Sequence, residues 1–182
     1  MITYDIAVIG AGAAGSMAAI RAGQLDKRVI LLEKNEIIGK KILMTGKGRC
    51  NLTNSGKLDT FIEKFGRPGQ FLRNAFYAFS KEDVMNFFKS NGLELKSERQ
   101  GRVFPATDNA RSVTQVLEKC LVQNKVDIRY KTRIRELKKY SERFILDTGN
   151  GPVPAKKVIL ATGGASYKDT GSTGDGFQIA QT

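Results

Sequence analysis

Histidine is absent from the 182 residues of the sequence, which removes the commonest general acid and base of enzymes. Proton transfer then depends on Tyr, Lys, Cys or a carboxylate, on a cofactor group, or on residues outside this sequence, and no catalytic residue is assigned. Only two cysteines, Cys50 and Cys120, are present, far apart and without a CxxC spacing. Neither a disulfide framework nor a metal site is therefore expected, and a reducing cytoplasm fits best.

Long apolar runs are also absent. No run approaches the roughly 18 apolar residues that a membrane span needs. The first residues lead directly into a strand pattern instead of a basic, apolar and cleavable signal segment. The sequence therefore predicts a cytoplasmic globular protein that has no membrane partner.

Basic residues outnumber acidic ones, 30 to 18, giving a formal charge of +12. Such a balance raises a nucleic-acid hypothesis, because basic surfaces attract polyanions. The Lys and Arg residues are spread along the chain, and only Lys40, Lys41, Lys47 and Arg49 crowd one glycine-rich segment. Most of this charge is therefore interpreted as solvated surface, and nucleic acid is not the expected partner.

The hydrophobic pattern predicts an α/β chain. Strands are expected at residues 5–9 and 28–33 around a helix at 13–25, and a long loop at 34–56 follows. The next predicted elements are helices at 59–65, 71–79 and 80–92, short strands at 93–96 and 103–104, and a helix at 109–124. A strand meander over 127–153, with a glycine turn at 149–151, then precedes a buried strand at 157–161 and a last helix from 176.

The most informative motif is the G-x-G-x-x-G turn between the first strand and the first helix. In such a turn Gly10 allows the tight bend, Gly12 lets a pyrophosphate approach, and Gly15 allows close contact between helix and strand. The helix start, with Ala13 and Ala14, offers free N–H groups to an anion. A purely structural glycine turn is the alternative interpretation.

Glu33 stands at the end of the second predicted strand, where a carboxylate binds the hydroxyls of an adenosine ribose. The alternative is an ordinary surface acid at a strand end. The predicted cofactor contacts outside the glycine motifs also include Lys34, Lys41, Arg133 and Ile134.

A second motif separates FAD from NAD. The predicted meander precedes an apolar strand that ends in Ala161, Thr162, Gly163 and Gly164. This arrangement resembles the FAD domain of glutathione-reductase-like flavoproteins, and the resemblance implies that these four residues lie near the dinucleotide. A buried strand followed by a simple glycine turn is the alternative.

A third signal is residues 39–54, GKKILMTGKGRCNLTN. With residues 101–105, 161–164 and 171–176, it resembles the flavoprotein family described as aminoacetone oxidase or BaiN/YhiN-type dehydro-bile-acid reductase. The glycines of residues 45–51 can bring backbone N–H groups, Lys47 and other side chains to the carbonyls of a flavin. The cofactor contacts predicted in this loop are Thr45, Gly46, Gly48, Arg49, Cys50 and Asn51.

Two roles in these motifs stay open. Cys50 is either a thiol beside the flavin or a small buried filler, and Cys120 is interpreted as core. Asp175 either caps the last helix or holds a flavin hydroxyl.

The resulting prediction is one domain over residues 1–182, a glutathione-reductase-like FAD-binding Rossmann domain that ends before an inserted substrate domain. The implied activity is that of an FAD-dependent oxidoreductase acting on a small organic substrate, with NAD(P)H as a candidate reductant. Two alternatives are a flavin-dependent nucleic-acid modification enzyme, which the +12 charge suggests, and a non-catalytic nucleotide-binding module.

Overall fold

The structure is a computed structural model that describes residues 2–66 and 68–181. The chain divides into two compact units, one formed by Met1–Ile42 and Leu117–Thr182 and the other by Leu43–Val116. Each unit has its own sheet, so each is considered by itself.

The described residues form both helices and strands, which alternate over the first part of the chain. The helices are α1 (Ala13–Gln24), α2 (Lys40–Met44), α3 (Leu58–Glu63), α4 (Gly69–Ala78), α5 (Lys81–Ser90), α6 (Ala110–Gln123) and α7 (Asp175–Ile179). The strands are β1 (Tyr4–Ile9), β2 (Val29–Leu32), β3 (Thr53–Asn54), β4 (Leu95–Ser97), β5 (Arg102–Pro105), β6 (Asp127–Arg129), β7 (Glu136–Tyr140), β8 (Arg143–Asp147) and β9 (Pro152–Leu160). Short 3-10 turns lie at Thr45–Gly48, Arg99–Gly101 and Lys168–Thr170.

The first unit is built on a six-stranded sheet with the order β6-β2-β1-β9-β8-β7. β6, β2, β1 and β9 are parallel, whereas β7 and β8 extend the sheet in antiparallel fashion. All four residues of β2 are buried, as expected for an interior strand that is covered on both faces. The predicted α/β fold with a largely parallel sheet is thereby confirmed.

The predicted meander over residues 127–153 is partly wrong. β6 pairs in parallel with β2 at one edge of the sheet, so only β7, β8 and the start of β9 form the antiparallel meander. The strand predicted at residues 157–161 is the second half of the nine-residue β9. Pro154 and the pair Lys156 and Lys157 interrupt the apolar pattern, which hides the continuity of this strand in the sequence.

The second unit contains a three-stranded antiparallel sheet with the order β3-β5-β4 and the helices α3, α4 and α5. Here the prediction of one long loop over residues 34–56 is wrong, since this segment contains α2, a 3-10 turn and β3. These elements have only two to five residues, which is too short for hydrophobic periodicity to show.

A capping box begins α5, at the start of the helix predicted from residue 80. The hydroxyl of Ser80 accepts a hydrogen bond from the backbone N–H of Asp83 at 3.2 Å, and the Asp83 carboxylate accepts one from the Ser80 N–H at 2.8 Å. Two N–H groups at the helix start are thereby satisfied reciprocally.

Replacing Ser80 with alanine removes the acceptor for the Asp83 N–H. We expect Ser80→Ala to lower the free energy of unfolding by about 1 kcal/mol. Urea unfolding measures this change, and Ser90→Ala, at the exposed end of the same helix, is the control. Equal stability of both variants would contradict the capping role.

Candidate cofactor site

In the glycine turn between β1 and α1, close packing leaves no room for a side chain at two of the three glycines. Gly10 has φ +100°, and a Cβ there would lie 2.6 Å from the carbonyl oxygen of Ala161. A Cβ on Gly15 would lie 1.8 Å from the carbonyl oxygen of Gly10. Neither distance is tolerable, so both positions require glycine for the fold alone.

Gly12 differs, because a Cβ there would meet nothing within 4 Å and its φ of −75° is ordinary. Gly12 precedes α1 without a side-chain hydrogen bond to cap the helix, and Ala13 and Ala14 are exposed. An uncapped helix start presents N–H groups and the positive end of the helix dipole. The open space before Gly12 therefore fits an anionic group such as a pyrophosphate.

Glu33 is buried, with 6% of its surface exposed. One carboxylate oxygen accepts a hydrogen bond from the N–H of Ala11 at 2.7 Å, and the other accepts bonds from the backbone and side chain of Asn35, at 2.8 and 2.5 Å. Glu33 thus ties the glycine turn to the end of β2. A carboxylate has about four acceptor positions, so it retains capacity for a ribose hydroxyl.

The residues after β9 meet the same turn. The N–H of Ala161 donates to the carbonyl of Ile9 at 2.8 Å, and a Cβ on Gly15 would lie 3.2 Å from the Cβ of Ala161. Thr162 lies so close to Gly176 that a Cβ there would be 2.3 Å from the Thr162 hydroxyl. The two motifs that the sequence placed near one dinucleotide are therefore neighbours in the first unit.

A polar network fastens the segment before α7 to the end of β2. The Nζ of Lys34 donates to the Asp175 carboxylate at 2.8 Å and to the Thr173 hydroxyl at 2.6 Å. Arg133 donates to the other oxygen of Asp175 at 2.9 Å, and the Asp175 side chain is only 11% exposed. Burial raises the pKa of Asp175, but the hydrogen bonds from Lys34 and Thr173 and the charge of Arg133 outweigh it, so the net shift is downward.

A second lysine, Lys41, is also hydrogen-bonded to the segment that precedes α7. The Nζ of Lys41 donates to the buried hydroxyl of Ser172 at 2.6 Å, and a Cβ on Gly163 would approach that hydroxyl to 2.9 Å. Both lysines that the sequence assigned to the cofactor are thus bound to residues 172–175. We name Lys34, Thr173 and Asp175 the lysine latch.

A double-mutant cycle distinguishes a latch from a direct contact to the cofactor. If Lys34 acts through Asp175, then Lys34→Met, Asp175→Asn and the double variant should weaken FAD binding by similar factors, about tenfold, because they break the same interaction. Fluorescence titration with FAD measures these dissociation constants, and Lys34→Arg should restore part of the affinity.

A lysine that contacts a phosphate directly gives the opposite pattern. Asp175→Asn would then release Lys34 and leave FAD affinity unchanged or higher, and the two single effects would add. That result would overturn the latch.

In the second unit, Arg49 is held by its own neighbours. Its guanidinium lies 4.1 Å from the centroid of the Phe104 ring and contacts Glu98 at 2.8 Å and Asp108 at 3.2 Å. Hydrogen bonding to Glu98 raises the pKa of Arg49. Two carboxylates therefore balance this positive charge, and the contacts fix residues 45–51 to β5 and its surroundings.

The loop of residues 45–51 has an unusual backbone. Lys47 and Cys50 adopt left-handed conformations, with φ of 58° and 62°, beside Gly46 and Gly48. Left-handed residues other than glycine are uncommon and strained. The thiol of Cys50 is buried, and burial raises its pKa, which disfavours the reactive thiolate. Cys120 is also buried, as predicted.

The structure assembles the predicted site residues in two sets. The first unit brings together the glycine turn, Glu33, the lysines, Arg133 and the segment after β9, while Ile134 is buried in the sheet core. Thr45, Gly46, Gly48, Arg49, Cys50 and Asn51 lie in the second unit. Asn35 and Ser172, which orient Glu33 and Lys41, were missed, although Ser172 lies in the quoted motif of residues 171–176.

The parallel sheet, the glycine turn and the acid at the end of β2 define a Rossmann-type dinucleotide-binding domain of the FAD-binding class. The chain matches the HI0933-like protein Rossmann domain over residues 4–182. It belongs to this family, which confirms the family resemblance found in the sequence.

Two relatives illustrate the range of the family. The chain is 41% identical over 179 residues to the 3-dehydro-bile acid delta(4,6)-reductase of Clostridium scindens, covering 97% of this chain and 43% of that protein. It is 30% identical over 184 residues to the ribosomal RNA dihydrouridine synthase of Escherichia coli, covering 100% of this chain and 44% of that protein. The chain thus spans less than half the length of these relatives.

Solved structures show the same fold. Sdh1 of Mycobacterium smegmatis in complex with UQ1 superposes with a TM-score of 0.70 at 21% identity, over 98% of this chain and 38% of that one. The 3-ketosteroid-delta4-(5alpha)-dehydrogenase of Rhodococcus jostii gives 0.67 at 17% identity, over 88% of this chain and 46% of that one.

Three predictions concern the membrane, nucleic acid and the cellular location of the protein. None of the described helices has the length and apolar character needed to cross a membrane. The expectation that nucleic acid is not a partner remains a prediction, since one relative is named for ribosomal RNA. The cytoplasmic location also remains a prediction.

Proposed function

We propose that this chain is the FAD-binding part of an oxidoreductase that reduces a carbon–carbon double bond conjugated to a carbonyl group in a small organic substrate. NAD(P)H is the proposed source of electrons. The open, uncapped helix start before Gly12 carries the cofactor assignment, because the fold itself does not need glycine at that position.

The substrate class follows from the two relatives considered together. Their names describe the reduction of a bile acid at delta(4,6) and the formation of dihydrouridine in RNA. Uridine carries a double bond conjugated to a carbonyl, and a 3-dehydro bile acid with delta(4,6) unsaturation does so too. The two substrates differ in size and charge, so the common factor is the bond that is reduced.

When bound and reduced by NAD(P)H, the flavin would supply a hydride to the carbon β to the carbonyl, and a proton would add to the α carbon. In the proposed site, Gly12, Ala13 and Ala14 receive the pyrophosphate, and Glu33 receives the adenosine ribose. The lysine latch keeps residues 172–175 against the end of β2. Thr162 to Gly164, which follow β9, line the dinucleotide in the first unit.

The proposal is tested with the chain in its complete natural context, loaded with FAD. The protein should be yellow, its flavin absorbance should bleach with NADPH or NADH, and a 4,6-dien-3-one steroid should reoxidise it. A protein that is colourless and does not take up FAD would disprove the cofactor assignment. A flavoprotein that is not reoxidised by any conjugated enone would disprove the substrate class alone.

The second candidate is a flavin-dependent enzyme that reduces uridine in RNA. It is favoured by the +12 charge and by the relative named for ribosomal RNA. It requires RNA binding whose affinity falls steeply with salt. Dihydrouridine in an RNA transcript after incubation with the reduced enzyme would establish it, while the steroid assay would stay negative.

A further inference from the structure

The segment between β6 and β7 carries three exposed cations at alternate positions. Lys131, Arg133 and Arg135 are exposed, whereas the intervening Thr132 and Ile134 are buried. Over residues 132–135 this alternation is that of an extended chain, whose side chains point to opposite faces at successive positions. Lys131 precedes this stretch in a left-handed conformation, with φ of 51°, and lines a common cleft with Arg133 and Arg135.

Two of these cations are oriented by carboxylates. Lys131 contacts Glu36 at 2.8 Å, and Arg133 contacts Asp175 at 2.9 Å. Asp175 is 11% exposed, so it is a firm anchor for Arg133, while Glu36 is 75% exposed and holds Lys131 only weakly. An anchored guanidinium keeps further N–H groups for a second acceptor, because it has five donors.

Arg135 is the third cation, and no carboxylate of the described residues engages it. Its guanidinium lies over the turn between β8 and β9, where a Cβ on Gly149 would come within 2.9 Å of Arg135 Cζ. The turn itself is fixed, since the Thr148 hydroxyl donates to the carbonyl of Gly151 at 2.7 Å. Because Gly149 has no side chain, the Arg135 guanidinium has room to lie against this turn.

These groups surround a cleft of about 540 Å³ in the first unit. Its described lining contains the three cations, Thr148, Asn150 and Gln178, and no carboxylate side chain. Three cations with hydroxyl and amide donors, without a facing acid, match the charge and the acceptor oxygens of a phosphate group.

We propose that this cleft is a phosphate-binding site, centred on Arg135 and supported by Lys131 and Arg133, and separate from the glycine turn that receives FAD. Its ligand is a phosphate borne either by a free nucleotide or by a nucleic-acid backbone. The site does not depend on the substrate of the flavin reaction.

The experiment measures the binding of three probes to the protein in its complete natural context, with and without saturating FAD. The probes are pyrophosphate, ADP and a fluorescein-labelled single-stranded RNA 12-mer. At least one should bind with the same affinity in both conditions. Arg135→Gln should weaken that binding by about tenfold or more, as expected for the loss of a hydrogen bond to a charged group.

Lys139→Gln is the matched control, because it removes one positive charge from the exposed face of β7 outside the cleft. It should change the affinity less than twofold, and the unfolding midpoints of both variants should match the parent. Preference for ADP would identify a free nucleotide. Preference for RNA, with a salt slope that falls by about one in Arg135→Gln, would identify a nucleic-acid backbone.

Three results would overturn the proposal. None of the probes binds, or the Arg135 and Lys139 variants lose affinity equally, or no probe binds once FAD is saturating. The last result would assign the cleft to the FAD site. Loss of flavin turnover without loss of probe binding would count against the proposed function but not against the phosphate-binding cleft.

Discussion

Gly12→Val is expected to raise the dissociation constant for FAD at least about a hundredfold and to leave the fold intact. The added side chain meets no protein atom within 4 Å of its Cβ, so it costs little in packing. It occupies the space before the uncapped start of α1, where the pyrophosphate is proposed to lie. Fluorescence titration with FAD and thermal unfolding measure the two effects separately.

Two further variants calibrate this result. Gln24→Val places the same branched side chain at the exposed last position of α1 and should preserve FAD affinity. Gly15→Ala should destabilise the protein strongly, because its Cβ would lie 1.8 Å from the Gly10 carbonyl oxygen. FAD binding by Gly12→Val with parental affinity would show that the dinucleotide does not approach this turn.

Glu33→Ala is expected to lower both the free energy of unfolding and the affinity for FAD. The N–H of Ala11 would lose its acceptor in a buried position, and the N–H of Asn35 would lose its acceptor in a half-buried one. An unsatisfied buried donor costs about 1–3 kcal/mol, so a loss of about 2–3 kcal/mol in the free energy of unfolding is expected. Urea unfolding with an unchanged m value measures it.

Glu33→Gln separates the two roles of this carboxylate. Glutamine retains one acceptor oxygen but presents an NH2 group to the second donor, so its stability should lie between those of the parent and Glu33→Ala. FAD affinity should fall in both variants. If Glu33→Ala unfolds at the parental urea concentration, the carboxylate does not fix the glycine turn.

The glycine turn was predictable because its requirements are local. Gly10, Gly12 and Gly15 lie within six residues, directly between a strand and a helix, and each spacing has a steric meaning. The capping box at Ser80 was predictable for the same reason, since its two partners are three residues apart.

The partners of the charged residues were not predictable from the sequence. Lys34 and Asp175 are 141 positions apart, and only the sheet order brings them together. Arg49 is predicted from the sequence to contact the cofactor, but its carboxylate partners Glu98 and Asp108, 49 and 59 positions further along the chain, leave no signal there. A long-range ion pair leaves no periodic signal in one sequence.

β6 was misassigned for a related reason. Its three residues look like the first strand of the meander, because they precede β7 directly in the chain. Their pairing with β2 depends on backbone contacts with a segment about 100 positions earlier. Strand patterns predict that a segment is extended, but they do not identify its neighbour.

The long strand β9 pairs with one strand that is near it in the chain and with one that is far from it. Ala155 pairs with Phe144 on one side and with Tyr4 on the other, so one strand joins a nearby hairpin to the distant start of the chain. Closing a short loop costs less chain entropy than closing a long one. We therefore expect the β7–β9 meander, whose contacts are local, to form before β9 pairs with β1.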